Sequence, residues 1–447
     1  MAVSVVTLAV FAGVFGLVYN NSIDRRVAMI AGAAIILFLG TIFNFYSLHM
    51  AFDSIYIETL ALIFGMSLIS DTLSRSGFFT MVAARTAVYS RGDGWLLLVL
   101  FSLITYGLSL FVNNLAAIVV ILPITLNVCR TAGLNPVPII IAEIISSNLG
   151  GASTMVGDFP NMIISSAAHL HFLDFIGGMM VPCLVLLAAM LLYFDRRRGK
   201  LFGEPTKQPG AARGRRKKID KIFGGRKAPG IKDFYLFQTG MAVLVLVVIG
   251  FLVSEYFDVR PGYIALAAGL ILLVIGGLEK DEVFDACNAG DILFFAGLFV
   301  MVGGLNAAGV LNGLAWLIEK IGNGNGTLEL LALMWIAGFV TVFLNAGPST
   351  AFFIPVAAQM SFYIPGKTVW WALSLGVLAG SSAALTGATA GSIASSQLEK
   401  ALEKYPEMAK YIPSGRGLDF KEFLGWGVPI MVIFLLLSSV YIVLVAE

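Results

Sequence analysis

Apolar runs recur along the whole chain, and the longer ones cover about 17 to 20 residues, the length at which an α-helix crosses a bilayer. Hydrophobic residues make up 58% of the 447 residues and charged residues only 13%, whereas soluble domains carry about 25% charged residues. The alternating segments of about ten residues that a transmembrane β-barrel requires are absent from the sequence. The sequence therefore predicts an all-α polytopic membrane protein.

Charge and cysteine usage exclude several other classes of protein. The net charge is +2, and the basic residues cluster in loops beside the apolar runs, so no interaction with nucleic acid is expected. Cys129, Cys183 and Cys287 have no paired spacing and lie in or near apolar segments, which argues against disulfides and against a cysteine metal site. Because no nucleophile and base stand together in the sequence, we predict neither an enzyme nor a resident cofactor.

One apolar segment, near 137–168, is interrupted by a polar stretch that reads SSNLGGASTMVGDFPN at 146–161. Backbone that is not helical is tolerated at membrane depth only where protein buries it or a water-filled cavity meets it. The stretch contains Asp158, and a carboxylate at that depth costs about 2.5 to 3.5 kcal/mol on insertion scales. Asp158 can bind a hard cation or cap the helix that restarts at Phe159, and the two roles are compatible.

Polar residues near the break extend the candidate site. Glu143 lies one helical turn before Ser146 and Ser147, on the same helix face. It can relay a proton together with Ser147, or it can be a hydrogen-bonded structural acid, and both interpretations stay open. Two apolar arms upstream are separated by Asn113 and Asn114, whose amide oxygens can bind a cation or can simply form a turn.

The second half of the chain repeats the order of the first. Asn113 matches Asn345 and Pro123 matches Pro355 at one constant offset, which is kept without a gap over many positions. A constant offset of this kind indicates two internal repeats, each with a re-entrant hairpin and a broken helix. The predicted boundaries are 1–194 for the first repeat, 195–233 for a basic linker and 234–447 for the second repeat, with hairpins at 95–128 and 330–360 and broken helices at 137–168 and 368–397.

The positive charges favour a cytoplasmic location for the linker. It contains three consecutive arginines at 196–198 and the run RRKK at 215–218. With the linker inside, the two arms of each hairpin enter and leave on one side, so each half crosses the membrane five times. An odd number of crossings inverts the second half and puts both termini on the side opposite the linker. Inverted-topology repeats with broken helices at the midplane are typical of secondary transporters.

The two breaks differ in charge. Asp158 aligns with Ala388 and Asn161 with Gly391, so the second half has lost the acid and the amide. The neutral polar residues that remain there form a predicted pseudo-site: Asn345, Ser349, Thr350, Ser381, Ser382, Thr386 and Thr389. No Lys or Arg is predicted at core depth in either half. The asymmetry favours one site, in the first half, for a proton or a small monovalent cation.

The motif at 148–161, together with FVNN at 111–114 and Pro123 after it, resembles the ion transporter superfamily that includes arsenite permeases and sodium/proton antiporters. The segments at 57–66, 157–162 and 170–176 are most similar to the magnetosome membrane proteins of that superfamily. The resemblance implies a transport domain that holds both hairpin tips and both broken helices, and a scaffold domain that often dimerises. The site residues that it implies for an ion such as Na+ are Asn113, Asn114, Asn148, Ser153, Thr154, Asp158 and Asn161.

The expected function is secondary active transport of protons, a small monovalent cation, or both in exchange, through an elevator-type movement. The resemblance implies a multi-pass homodimer in a bacterial inner membrane or magnetosome membrane, where it would control the pH of the magnetosome lumen. The hairpin tips, Asn113-Asn114-Leu115 and Asn345-Ala346-Gly347, lack the Ser-Asn-Thr triplets of dicarboxylate carriers, which argues against a carboxylate substrate. The alternatives are export of a neutral oxyacid such as arsenite, and a transport-dead membrane organiser that recruits partners through the linker.

Overall fold

Helices make up all the regular secondary structure in the part of the chain that the structure describes. The computed structural model describes residues 2–20, 23–202, 211–223, 230–276, 280–385, 387–388, 390–412 and 417–446. Eight of the described helical segments are long and apolar enough to cross a membrane. The prediction of an all-α polytopic membrane protein is confirmed.

The first part of the chain forms a hairpin and an interrupted helix among longer spans, and a short π-helical turn at Ile176–Met180 leads into α11. The helices of this part are α1 (Ala2–Tyr19), α2 (Arg25–Ile42), α3 (Leu48–Asp53), α4 (Ile57–Arg75), α5 (Phe78–Tyr89), α6 (Gly94–Ser109), α7 (Asn114–Ala132), α8 (Val137–Ala152), α9 (Phe159–Ala168), α10 (Phe172–Phe175), α11 (Val181–Asp195), α12 (Arg198–Phe202) and α13 (Ala211–Phe223).

The second part has the same order of elements, with 3₁₀ turns at Ser254–Phe257 and Pro406–Tyr411. Its helices are α14 (Phe234–Val253), α15 (Pro261–Ile275), α16 (Lys280–Ala286), α17 (Ala289–Ala307), α18 (Val310–Gly322), α19 (Gly326–Leu344), α20 (Ala346–Ser361), α21 (Thr368–Ser381), α22 (Gly391–Lys404) and α23 (Phe420–Ala446).

Aspartates at helix N-termini mark where several spans begin. Asp93 Oδ1 accepts a hydrogen bond from the backbone N–H of Leu96 at 2.9 Å, and so caps α6. Asp24 caps α2 and also accepts from the Arg26 guanidinium at 2.9 and 2.7 Å, which holds the pKa of the Asp24 carboxyl well below its usual range. An N-cap carboxylate satisfies a free N–H group and interacts favourably with the helix dipole.

The helices of the two halves pack in equivalent pairs. Helix α4 packs on α15, and its counterpart α17 packs on α2, the counterpart of α15. Within the halves, α6 packs on α8 as α19 packs on α21. Across them, α9 contacts the hairpin arm α20, and α22 contacts the hairpin arm α7. Each hairpin is therefore completed by the end of the broken helix from the other half.

The broken helices approach the hairpin arms so closely that only glycine fits at the contact. A Cβ added to Gly150 would overlap the carbonyl oxygen of Tyr106 on α6. A Cβ added to Gly380 would overlap the carbonyl oxygen of Gly338 on α19 in the same way. The matching contacts explain why glycines recur at these two positions of the repeat.

The interruptions fall where the sequence places polar residues. Residues 110–113 join α6 to α7, and residues 153–158 separate α8 from α9. In the second half α19 meets α20 at Asn345, and α21 ends at Ser381, ten positions before α22 begins at Gly391. The orientation of the halves in the membrane, their inversion and the cytoplasmic location of the 195–233 linker stay predictions, and the linker is described only in part.

Candidate functional site

Asp158 is the N-cap of α9 at the end of the break. Its backbone is extended, with φ −144° and ψ 151°, and its Oδ1 accepts a hydrogen bond from the N–H of Phe159 at 2.8 Å. The residue is only 6% exposed. Asp158 therefore caps the helix that restarts at Phe159, which agrees with the capping interpretation. It also places a carboxylate in the protein interior.

Oxygen-bearing groups converge on the open side of Gly151. The position that a Cβ of Gly151 would occupy lies 2.8 Å from Asn114 Oδ1, 2.8 Å from Asp158 Cβ and 3.0 Å from the carbonyl oxygen of Gly157. Asn114 is 1% exposed, and its Oδ1 has no hydrogen-bond partner. A buried acceptor without a donor is costly, so this oxygen is suited to a proton or a cation. Glycine at position 151 allows these groups to approach one another, because a Cβ there would already be in close contact with them.

A chain of amides joins the first break to the second half of the molecule. Asn114 Nδ2 donates to Asn148 Oδ1 at 3.2 Å. Asn148 Nδ2 in turn donates to the carbonyl oxygen of Ser381 at 3.3 Å and to its Oγ at 3.2 Å. The first hairpin tip, the first broken helix and the second broken helix are therefore connected by hydrogen bonds between buried groups. This is where one residue of the pseudo-site meets the first site.

Asn161 and Thr154 hold the unwound backbone. Asn161 Nδ2 donates to the carbonyl oxygens of Ala152 at 2.9 Å and Thr154 at 2.8 Å, and its Oδ1 accepts from Ser374 Oγ at 2.7 Å. Thr154 Oγ1 donates to the Leu110 carbonyl oxygen at 2.6 Å. These side chains satisfy main-chain groups that the break leaves free. Their role as ion ligands stays a prediction.

Asn113 and Ser153 form hydrogen bonds with nearby main-chain groups. Asn113 Oδ1 accepts from the N–H of Leu115 at 2.9 Å and caps α7, in accordance with the turn interpretation. Ser153 Oγ donates to the Leu149 carbonyl oxygen at 2.8 Å and lies 2.8 Å from Tyr106 Oη. Tyr106 could not be identified from the sequence, because a single tyrosine in an apolar arm has no distinguishing spacing.

Glu143 is fully buried between the hairpin and the broken helix. Thr125 Oγ1 on α7 donates to Glu143 Oε1 at 2.5 Å, whereas Glu143 Oε2 and Ser146 Oγ have no hydrogen-bond partner. Ser147 Oγ donates to the carbonyl oxygen of Ile144 at 2.8 Å. Glu143 is therefore held on one oxygen only, and sequence reasoning missed its partner Thr125. The proton relay through Glu143 and Ser147 stays a prediction.

Apart from the hydrogen bonds that Ser381 accepts from Asn148, the hydrogen bonds of the pseudo-site lie within the second half. Thr341 Oγ1 donates to Ser349 Oγ at 2.7 Å, and Thr350 Oγ1 donates to the Ala346 carbonyl oxygen at 2.8 Å. Ser381 and Ser382 both donate to the Leu378 carbonyl oxygen at 2.9 Å. Asn345 connects α19 and α20 with a positive φ of 71°. The two remaining residues of the predicted pseudo-site, Thr386 and Thr389, lie outside the described residues.

A polar cavity of about 350 Å³ reaches the first hairpin tip at Asn113. One face of α4 lines it with Ser67, Ser70, Asp71 and Ser74, at the spacing of neighbouring helix positions. Ser70 is 2% exposed, and its Oγ has no hydrogen-bond partner. Other lining residues are Leu115, Ala116, Val119, Asp285, Ala286 and Asn288. The regular spacing of polar residues on α4 was a signal that the sequence analysis did not use.

A second cavity, of about 440 Å³, reaches the tip of the second hairpin at Asn345. Phe159 lines it, and its ring packs on that of Phe295 with 5.0 Å between the centroids. Arg25 and Asp291 line it as well and form an ion pair at 2.6 Å. Phe159 therefore forms part of the cavity wall next to Asp158.

The described residues do not contain a conventional metal centre. Within the ranges that the structure covers, no three His, Cys, Asp or Glu side chains are grouped so that they could hold a metal ion. The convergence point near Gly151 instead offers an amide oxygen and a carbonyl oxygen beside the Asp158 side chain, and hard cations prefer oxygen donors of these kinds.

Eight candidate spans and interrupted helices around a buried carboxylate define a multi-pass membrane protein of the transporter class. The sequence model of the Citrate transporter family matches residues 3–376, and the chain belongs to that family. The predicted resemblance to ion transporters is confirmed by this match, and the predicted resemblance to magnetosome proteins is confirmed by the relatives described next.

The chain is similar to two curated magnetosome proteins. It is 46% identical to "Magnetosome protein MamN" of Magnetospirillum gryphiswaldense over 446 residues, which cover 99% of this chain and 100% of the relative. It is 45% identical to the protein of the same name in Paramagnetospirillum magneticum, over 98% of this chain and 99% of that one. Among solved structures, the YdaH transporter of Alcanivorax borkumensis has a similar fold, with a TM-score of 0.57 and 16% identity over 94% of this chain and 96% of that one.

Proposed function

We propose that this membrane transporter moves protons, or exchanges protons for Na+, with Asp158 as the group that binds the ion. The observation that carries the proposal is the convergence of Asn114 Oδ1, the Gly157 carbonyl oxygen and the Asp158 side chain on the open side of Gly151. A buried carboxylate beside neutral oxygen donors attracts a cation and repels an anion. A proton, which needs only one of these oxygens, and Na+, which needs several, are the ligands that such a site accepts.

The groups around the site support a cation rather than an anion. Asn114, Asn148, Asp158 and Asn161 form hydrogen bonds with amides, hydroxyls and main-chain groups, and none of these bonds involves a Lys or Arg of the described residues. The cavity that reaches the hairpin tip is lined by two carboxylates, Asp71, which forms an ion pair with Arg75 at 3.8 Å, and Asp285, whose charge favours cations along the approach to the tip.

The repeat supports an alternating-access mechanism. The two halves pack through equivalent pairs of helices, so each half can adopt the conformation of the other. Carriers built from inverted repeats use this property to open to either side of the membrane. In the proposed cycle, Asp158 binds H+ or Na+ from one side, the transport domain moves against the scaffold, and the ion leaves on the other side. An elevator-type movement and a homodimer belong to the same proposal, on the strength of the family resemblance.

The names of the similar proteins suggest where such transport would matter. Both are named magnetosome proteins and match this chain over nearly its whole length. We therefore propose that the chain resides in a bacterial inner membrane or a magnetosome membrane. There it would control the pH of the magnetosome lumen.

The purified chain reconstituted in liposomes with an internal pH dye tests this function. Imposed Na+ or proton gradients should produce pH changes inside the liposomes, and Asp158→Asn should abolish them. Asp258→Asn, which removes the same charge from an exposed loop, should leave them unchanged. Fluxes that persist unchanged in Asp158→Asn would refute the role of Asp158.

Transport of an organic anion is the second candidate. The family is described as Citrate transporter, and Arg25 lines the larger cavity with a side chain that is 51% exposed. We place this candidate second because Asp291 already neutralises Arg25 at 2.6 Å. Uptake of labelled citrate in the same liposomes distinguishes the two: citrate uptake that fails in Arg25→Gln would favour the anion, and its absence beside cation-driven pH changes would favour the cation.

A further inference from the structure

A basic cavity lies between the first hairpin and the second broken helix, at the end of α7 that is remote from the hairpin tip. Its volume is about 350 Å³, within the range of small-molecule sites. Three cationic side chains line it: Arg130 from α7, and Lys400 and Lys404 from α22. No Asp or Glu is among its described lining residues.

No carboxylate of the described residues forms an ion pair with these three cations, Arg130, Lys400 and Lys404. The acids of α22 are at Glu399 and Glu403, which are one position away from the lining residues and so point from another face of the helix. Positive charge from three side chains therefore accumulates around one partly open cavity, in which Lys400 and Lys404 are exposed.

Arg130 is held in place for binding. Its guanidinium lies 3.9 Å from the centroid of the Tyr405 ring, and its Nη2 donates to Asn127 Oδ1 at 3.2 Å. A guanidinium fixed in this way loses little conformational entropy when it binds a planar or tetrahedral oxyanion with its remaining donors. Lys404 lies near the same Tyr405 ring, with its Nζ 5.5 Å from the ring centroid.

The remaining lining fits a ligand that has both an anionic and a less polar part. Pro123, Leu126, Ala401 and Met408 contribute apolar walls. Gln397 also lines the cavity, and its buried Oε1 has no hydrogen-bond partner, so a ligand hydroxyl can satisfy it. Basic pockets between transmembrane helices on the cytoplasmic side are a recognised setting for anionic headgroups.

We propose that the cavity between α7 and α22 binds a phosphate group, carried either by an anionic lipid headgroup or by a free phosphate. The phosphate bridges an arm of the first hairpin and the end of the second broken helix. Because these elements come from different halves, the bound anion stabilises the contact between the halves. The site is separate from Asp158 and does not depend on which ion is transported.

Thermal unfolding of the full chain tests the proposal with two kinds of ligand. In one arm, inorganic phosphate is titrated into detergent-solubilised protein against chloride at equal ionic strength. In the other, the protein is incorporated into nanodiscs of phosphatidylcholine with or without phosphatidylglycerol. Stabilisation by inorganic phosphate identifies a free anion as the ligand. Stabilisation by phosphatidylglycerol, with no effect of inorganic phosphate, identifies a lipid headgroup.

The double variant Lys400→Gln/Lys404→Gln should bind the stabilising ligand about fivefold more weakly for each lysine removed, as expected from about 1 kcal/mol per basic residue. The control Lys410→Gln/Lys421→Gln removes the same charge from exposed positions outside the cavity and should bind normally. Lys400→Arg/Lys404→Arg should retain binding, which separates lost charge from misfolding. The absence of stabilisation in both arms, or equal weakening in the control, would overturn the proposal.

Discussion

The side-chain amide of Asn114 donates to that of Asn148 across 3.2 Å, and this bond ties the first hairpin tip to the first broken helix. The bond uses the nitrogen of Asn114 and leaves its oxygen without a partner, close to Asp158 and Gly151. The same amide therefore fixes the geometry of the site and presents an acceptor to it.

Filling the space at Gly151 should block transport. In Gly151→Ala the new methyl group would lie 2.8 Å from Asn114 Oδ1 and from Asp158 Cβ. We expect at least about a tenfold loss of cation affinity, which requires only about 1.4 kcal/mol. Flux in liposomes measures the effect. Gly107→Ala is the matched control because nothing lies within 4 Å of its added Cβ, and equal flux in the two variants would contradict the proposed location of the site.

Removing Asn148 should weaken the contact between the two halves. Asn148→Ala takes the donor from Ser381 and the acceptor from Asn114, which are both buried. Each buried polar group left unsatisfied costs about 1 to 3 kcal/mol, so the midpoint of thermal unfolding should fall. The exposed Asn312→Ala should leave the midpoint unchanged, and a similar decrease in both variants would show that the amide chain is not the cause.

The isosteric variant Thr125→Val should destabilise the chain through Glu143. It removes the hydroxyl that donates to Glu143 Oε1 at 2.5 Å and leaves a fully buried carboxyl group without that donor. The expected loss is about 1 to 3 kcal/mol, which thermal unfolding detects. Thr131→Val removes only a hydroxyl that donates to the Asn127 carbonyl oxygen of its own helix, and it should be nearly neutral. Unfolding midpoints that match in the two variants would disprove a supporting role for Thr125.

Neutralising Asp285 should weaken the attraction of cations into the polar cavity. For Asp285→Asn we expect the apparent KM for the transported cation to rise about twofold to fivefold at low salt, equivalent to about 0.4 to 1 kcal/mol of Coulomb attraction through solvent. The effect should vanish at about 1 M salt, where the Debye length falls to about 3 Å. Initial rates in liposomes measure it, with Asp258→Asn as the charge-matched control. An unchanged KM at low salt would exclude this cavity as the approach to the site.

The all-helical membrane architecture was accessible from the sequence because a bilayer imposes its thickness on every span and because polar residues between the apolar runs mark helix junctions. Asn113 and Asn345 illustrate this, since both are at the junction between hairpin arms. The acid at the break was recognisable because a carboxylate has few reasons to be in an apolar segment.

The partners of these residues were not accessible. Tyr106, Thr125 and Ser374 are single polar groups in apolar helices, and only the packing of the helices brings them to Ser153, Glu143 and Asn161. The packing of Phe159 on Phe295 likewise joins residues that are far apart in the chain. Contacts between the two halves depend on three-dimensional arrangement, which hydrophobic periodicity does not specify.

The contacts between the first and second halves also determine when each part of the chain can complete its packing during synthesis. Asn148 leaves the ribosome long before Ser381, its hydrogen-bond partner on α21. The interval is longer still between the hairpin arm α7 and α22, which packs against it. A nascent chain that has inserted only its first half therefore contains every residue of the break between α8 and α9. It lacks the helices of the second half that pack against this break. The candidate site is among the last parts of the molecule to mature, so a truncated product that reaches the membrane would carry Asp158 without a working transporter around it.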